Sequence, residues 1–206
     1  MELTLCHFVA EGMVVVKYGE GGTVDMDIET FVARSIGRWR SQRSGHNLAF
    51  QHFEEVRSVV NIAARSVDEA EVIALCQSND VDPGLAASPF FMDWEAESDW
   101  DEDEKTVGSC LLVPIPDPED DQRGRLLRSQ GYAEVIPAVG DYHFTEEGMF
   151  VLVTPYDRAS AEERIWFATE NLRLRVSNIL TENGKGVLTT SFASEVRSLS
   201  VPSPEE

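Results

Sequence analysis

From Phe90 onward the chain is a succession of short segments rich in β-branched and aromatic residues, separated at regular intervals by turn residues. They are Phe90 to Trp94, Thr106 to Val113, Tyr132 to Val135, Gly140 to Phe144, Phe150 to Pro155, Arg164 to Ala168, Leu172 to Leu180, and Gly186 to Ser198. None is long enough to bury a face alone, so they must pair. Even spacing predicts an antiparallel barrel or sandwich. At 206 residues the chain fits one domain with a real core.

The segment Asn171-Leu172-Arg173-Leu174-Arg175-Val176-Ser177 alternates strictly. Leu172, Leu174 and Val176 share one face; Arg173, Arg175 and Ser177 share the other. Two guanidinium forks one pleat apart suit a carboxylate-bearing ligand. Alternation alone leaves a second reading open, in which the arginines face water and the leucines face the core.

The formal net charge of −20 excludes a broad basic surface for nucleic acid or an anionic membrane. It fits either solubility or a basic partner. The three cysteines, Cys6, Cys76 and Cys110, form no CxxC pair, which argues against a disulfide framework or a metal site. A reducing, cytoplasmic setting is expected. The N-terminus lacks the basic start of a signal peptide, and no apolar run reaches the ~18 residues of a membrane span.

Residues 1–25 differ in character from the rest of the chain, and Met26 immediately precedes a helix start that Asp27 can cap. Glu20-Gly21-Gly22 can be encoded by a purine run resembling a bacterial ribosome-binding site, so Met26 is read as the translation start, the alternative being a genuine, mobile N-terminal extension. The expected organisation is an extension at 1–25, one domain at 26–199 and a disordered tail at 200–206.

A helix is expected from Asp27 to Ile36, ended by Gly37, with Ile28, Phe31 and Val32 inward. Trp39 to Phe53 reads as strand and turn, broken at Ser44-Gly45, and Val56 to Ala64 as a strand. Ser66-Val67-Asp68-Glu69 has capping-box spacing before a second helix reaching Cys76. Asp82-Pro83-Gly84 reads as a turn, and Pro114 to Asp121 as a loop.

Most chemical motifs are absent. No GxSxG, P-loop or dinucleotide fingerprint occurs, and the four histidines lack zincin spacing. Asp93 to Glu104 holds eight acids, but Glu104 and Cys110 stand where a calcium loop starting at Asp99 needs glycine and glutamate. It reads as a solvated hairpin tip. Cys76 and Cys110 read as buried small hydrophobes.

Helix followed by Gly37-Arg38-Trp39 resembles the start of lipocalin-like barrels, where the tryptophan plugs the barrel bottom beneath a late arginine, here Arg197. Several stretches together resemble the S-type phycobiliprotein chromophore lyases, the CpcS/CpeS kind. They are Arg34 to Arg43, His46 to Phe50, Leu112 to Pro118, Leu126 to Glu134, Glu162 to Phe167, Asn171 to Arg175, and Ser191 to Arg197.

The resemblance implies a mainly β, lipocalin-like antiparallel barrel of about ten strands, with one or two short helices near the N-terminus. It implies a bilin lyase, which binds a free linear tetrapyrrole such as phycocyanobilin or phycoerythrobilin. The bilin, a substrate rather than a cofactor, is delivered to a cysteine of an apo-phycobiliprotein. By resemblance Arg173 is a principal propionate binder, with Arg43 and Arg175 as helpers. Met92 and Trp94 would flank the tetrapyrrole plane, and Ser177 shares the face of Arg173. Glu195 and Glu163 would act as catalytic carboxylates that favour a protonated bilin. Arg173→Ala is expected to weaken bilin binding more than Arg128→Ala. A non-catalytic bilin or fatty-acid carrier is the alternative reading, as is a lyase subunit active only in a heteromer; a homodimer is also compatible.

Overall fold

The computed structural model describes residues 26–48, 50–98, 101–129, 138–181, 184 and 186–199, with the backbone alone for 101–104. The extension at 1–25, the strand expected at Tyr132 to Val135 and the tail at 200–206 lie outside these residues. Helix α1 (Ile28–Ser35) leads into β1 (Gly37–Asn47) and β2 (His52–Ala64). Helix α2 (Ala70–Ser78) and a 3₁₀ turn (Pro83–Leu85) precede β3 (Phe90–Ser98), β4 (Asp101–Asp117) and β5 (Asp120–Arg128). The remaining strands are β6 (Ala138–Phe144), β7 (Phe150–Pro155), β8 (Ala159–Thr169), β9 (Leu172–Thr181) and β10 (Val187–Arg197).

Each strand pairs antiparallel with its sequence neighbours, and β10 returns to β1. The expected lipocalin-like barrel therefore forms, with ten strands and two short α-helices. Closure leaves no sheet edge to solvent-driven pairing. It also gives every strand an inner and an outer face, and the two faces are covered differently.

The outer face of β4 and β5 presents Leu111, Val113, Ile115 and Leu127, which pack under Val72, Leu75 and Cys76 of α2. Inside, α1 plugs one end. Its Asp27 cap accepts from the Thr30 amide at 2.7 Å, and Ile28, Phe31 and Val32 turn into the barrel. Phe31 stacks on Phe150 with ring centroids 4.3 Å apart, beside Trp39, Phe144 and Ile165. Burying a side chain of this kind contributes about 2 kcal/mol.

Trp39 is fully buried at this closed end, and its indole donates to the Ser35 carbonyl at 2.8 Å. Arg197 is its cross-strand partner, with the guanidinium carbon 4.2 Å from the ring centroid. Arg197 also donates to the carbonyls of Ile36 and of Arg34, the latter at 2.7 Å. The expected arginine lid is therefore also a cap for the last carbonyls of α1. Gly37 sits between them at φ +133°, where a Cβ would meet Arg197 Nη1 at 2.6 Å.

Three local expectations are corrected. β1 runs unbroken through Ser44-Gly45 to Asn47, and Leu48, Phe50 and Gln51 are turn residues, Gln51 taking φ +51°. Strand pairing on both sides of β1 outweighs the turn preference of Ser-Gly. The stretch Pro114 to Asp121 is the hairpin of β4 and β5. Prolines are tolerated there because β3 starts at Phe90, opposite Leu112, so Pro114 and Pro116 lie beyond the β3 ladder and no β3 carbonyl needs their missing N–H. Helix α2 begins at Ala70: Ser66 Oγ accepts from the Asp68 amide, and the Glu69 carboxylate accepts from the Ser66 amide at 2.7 Å. Half of the capping box forms, one turn ahead of the regular helix.

The closed end makes Arg197 structurally demanding. Arg197→Ala removes charged hydrogen bonds to the part-buried carbonyls of Arg34 and Ile36 and a contact with Trp39, and should cost about 2 kcal/mol. Urea unfolding measures it; a change below about half a kilocalorie would mean the lid does not brace α1.

Candidate functional site

Above the plug the barrel interior holds a cavity of about 560 Å³, running from Ile28 and Phe31 of α1 to Arg43 and Glu54 near the open end. Pockets of this size hold small organic molecules. Its chemistry is divided. Val60, Ile62, Phe90, Met92, Trp94 and Leu112 of β2 to β4 form an apolar wall, and charged side chains of β8, β9 and β10 form the other, with Arg128 entering from β5 beside Leu112.

All eight residues singled out in the sequence line this cavity: Arg43, Met92, Trp94, Glu163, Arg173, Arg175, Ser177 and Glu195. The alternation in β9 is thus oriented with its arginines inward. Leu174 pairs outward with Trp166, and Val176 with Phe192, on a partly exposed outer face.

Arg173 and Glu195 are direct cross-strand partners and form a buried ion pair through Nε and Oε2. Arg175 bridges the two carboxylates. Its Nη2 lies 3.5 Å from Glu195, and its Nη1 lies 3.4 Å from Glu163. Glu163 is also 3.4 Å from Arg128 Nη1. The result is a continuous chain in which Arg128, Glu163, Arg175, Glu195 and Arg173 alternate in sign. The guanidinium carbon of Arg173 also lies 4.9 Å from the Trp39 ring centroid, which ties the ionic chain to the closed end.

Burial and charge act unequally along this chain. At Arg173 burial pushes the guanidinium down from its ordinary value; Glu195 opposes, and Arg175 and Arg197 add to the push. At Glu195 burial by itself would raise the carboxyl, but Arg175 and Arg173 together outweigh it and hold the carboxyl below the usual glutamate value. Glu195 therefore sits as a carboxylate inside the barrel.

Trp94 lies flat on the next strand because its register partner is Gly108. A Cβ on Gly108 would collide with the indole ring. Arg43 is half exposed, 3.9 Å from Glu54, at the solvent side of the cavity.

Two residues of the site escape a reading of the sequence. Arg128, expected to matter less than Arg173, is buried in the cavity wall. A signal is present in Leu126-Leu127-Arg128, since alternation puts Arg128 on the face of Leu126. It is masked because Leu127 is buried too, under α2, so that the last three residues of β5 are buried on both faces. Gly108 carries no sequence signal at all; only the register across β3 and β4 gives it a role.

Among the described residues the two thiols, Cys76 and Cys110, are both buried. Burial pushes the Cys76 thiol up, with Asp82 adding to the shift, and Cys110 is buried in the cavity wall. Among the described residues no group of three His, Cys, Asp or Glu side chains is placed to hold a metal ion. No helix among them is long and apolar enough to cross a membrane.

Two expectations rest on this geometry. A carboxyl with a depressed folded-state pKa contributes stability that is complete above its unfolded value, about 4.3, and is lost as the pH falls through the lowered folded value. Glu195→Gln should therefore destabilise the barrel at pH 7 by an amount that shrinks toward pH 3, read by urea unfolding across that range. A gap that stays constant with pH would show that the arginines do not hold the carboxylate ionised. Gly108→Ala should displace Trp94 and change its fluorescence maximum; an unchanged emission spectrum would mean the indole has room elsewhere.

The chain matches the model of the family described as CpeS-like protein over residues 27–198. It is 61% identical over 173 residues to Chromophore lyase CpcS/CpeS 3 of Trichodesmium erythraeum (strain IMS101), covering 84% of this chain and 100% of that one. It is 55% identical to the Putative phycoerythrobilin lyase CpeS of Microchaete diplosiphon, covering 76% of this chain and 70% of that one. Among solved structures, the S-type phycobiliprotein lyase CPES of Guillardia theta superimposes with a TM-score of 0.76 at 48% identity, covering 86% of this chain and 96% of that chain. With the barrel, the cavity and these likenesses in agreement, the chain belongs to the CpeS-like family of CpcS/CpeS chromophore lyases.

Proposed function

We propose that this protein is a bilin lyase: it binds a free linear tetrapyrrole in the barrel and attaches it to a cysteine of an apo-phycobiliprotein. The observation that carries the reading is the divided cavity, with arginines on one wall and Trp94 and Met92 on the other. A bilin has the matching division, being a flat conjugated system that bears two propionates.

In the covalent step the acceptor's thiol adds across the ethylidene double bond of the A ring. Sulfur bonds to the ethylidene carbon and the proton ends on the ring carbon of the same double bond. Nothing leaves, and no oxidant or cofactor is required. The nucleophile comes from the acceptor, which agrees with a barrel whose own thiols are buried.

The work of this chain is then orientation. Holding a flexible pigment in one pose lowers the entropic barrier of a bimolecular reaction. Arg173 pairs with a propionate, assisted by Arg175 and by Arg43 at the solvent side, and Ser177 adds a hydroxyl on the same face. Trp94 stacks on the tetrapyrrole plane, and Met92 packs beside it. Glu195 and Glu163 present carboxylates to the pyrrole N–H groups, which favours the protonated, more electrophilic bilin. The reaction takes place in the cytoplasm, where acceptor thiols stay reduced. The protein acts alone, as a homodimer or with a related lyase chain.

The test is attachment itself. The protein is incubated with phycocyanobilin or phycoerythrobilin and an apo-phycobiliprotein, and covalent pigment is read on denaturing gels by zinc-enhanced fluorescence. Faster and more uniform attachment than the spontaneous reaction is expected. Binding without acceleration would make the protein a carrier, and acceleration only after adding a second lyase chain would make it a subunit. Arg173→Ala should weaken bilin binding by tenfold or more in absorbance titration. An affinity within twofold of the unmodified protein would remove the propionate role.

A further inference from the structure

We infer that Arg128 is a second carboxylate anchor for the ligand, so that one propionate is held at each end of the buried ionic chain. The inference rests on the bilin-binding reading and specifies how the second propionate is recognised.

The chain runs Arg128, Glu163, Arg175, Glu195, Arg173, with cations at both ends. The middle arginine is engaged on both sides, since its two terminal nitrogens face Glu163 and Glu195. Each terminal arginine has one carboxylate neighbour where the middle one has two. Arg128 Nε and Arg173 Nη2 are both buried N–H donors with no hydrogen-bond acceptor among the described residues. Their side chains are 7% and 2% exposed, and both line the same cavity.

A buried donor on a charged group is costly to leave without an acceptor. Three guanidinium groups and two carboxylates also leave the chain one positive charge in excess. The two orphaned donors call for an acceptor at each end, and the excess positive charge favours an anionic occupant. Arg128 starts on β5 and reaches Glu163 on β8, past the intervening β6 and β7. It is thus the only member of the chain that comes from outside β8, β9 and β10, and it approaches the cavity from another wall. Arg43 is a weaker candidate for the second anchor, because it is half exposed and already lies near Glu54.

A two-ended grip does what a single anchor cannot. One ion pair leaves a linear tetrapyrrole free to pivot about the bound propionate. A second fixes the direction of the chromophore, and with it which end ring is presented to the acceptor thiol.

The experiment compares phycocyanobilin, its two regioisomeric monomethyl esters and its dimethyl ester by absorbance titration. On the unmodified protein both monoesters should bind at least tenfold more weakly than the diacid. A monoester that binds as tightly as the diacid would overturn the inference, because one propionate would then be unrecognised. With Arg128→Gln, diacid affinity should fall tenfold or more while dimethyl ester affinity stays within twofold. Equal loss for both ligands would make Arg128 a brace for Glu163 and not an anchor. Arg128→Lys should recover part of the diacid affinity. If Arg128→Gln leaves the diacid unaffected while Arg173→Ala weakens it, the second anchor fails and the bilin site stands. If neither variant changes diacid binding, the site itself is wrong and the anchor falls with it.

Discussion

Arg173 is the residue on which closed end and cavity meet. Its guanidinium is paired with Glu195 across the β9–β10 ladder and lies close to the ring of Trp39, which closes the barrel beside α1. Arg197, two residues beyond Glu195 on the same strand face, approaches the same ring and holds the last carbonyls of α1. The plug, the seam between β10 and β1 and the ligand wall are therefore mechanically one unit. A change at any of the four side chains is felt at the other three.

Burying so much charge is ordinarily unfavourable. An ion pair in a dry core gives back little of what both ions lose on leaving water, and removing one partner strands the other. This barrel distributes the difficulty over five alternating charges, and Glu195 gains from two arginines at once. The apolar surface that stabilises the molecule lies elsewhere: inside around α1, and outside under α2. With two cores carrying stability, the middle of the barrel is released for chemistry. The polar wall and the apolar wall can then face each other across one cavity.

The site was legible where a residue's face followed from strand alternation plus the family likeness. Arg173, Arg175 and Ser177 share one parity in β9, and Met92 and Trp94 share one in β3; once one member is inward, all are. Legibility failed where a second layer interfered. Leu127 is buried against α2, so the end of β5 is buried on both faces and the alternation that points Arg128 inward is masked. It failed again at Gly108, whose role exists only because β3 and β4 are aligned so that Trp94 lies over it. The prolines of β4 misled for a similar reason: whether proline is allowed in a strand depends on whether a neighbour needs its missing N–H, and that depends on where β3 starts.

By itself the sequence determined that the chain forms many short antiparallel strands behind a capped N-terminal helix, and that two arginines and a serine share one strand face. Those properties are local, set by side-chain period, turn residues and capping. Only the tertiary structure decided which way that face points, because both faces of a strand are equivalent until a sheet closes. Closure placed α1 and α2 on opposite sides of the wall, made the interior partly polar and brought Arg128 from β5 to the carboxylate of Glu163 on β8. Charges distant in sequence become one ionic chain only when the tenth strand returns to the first.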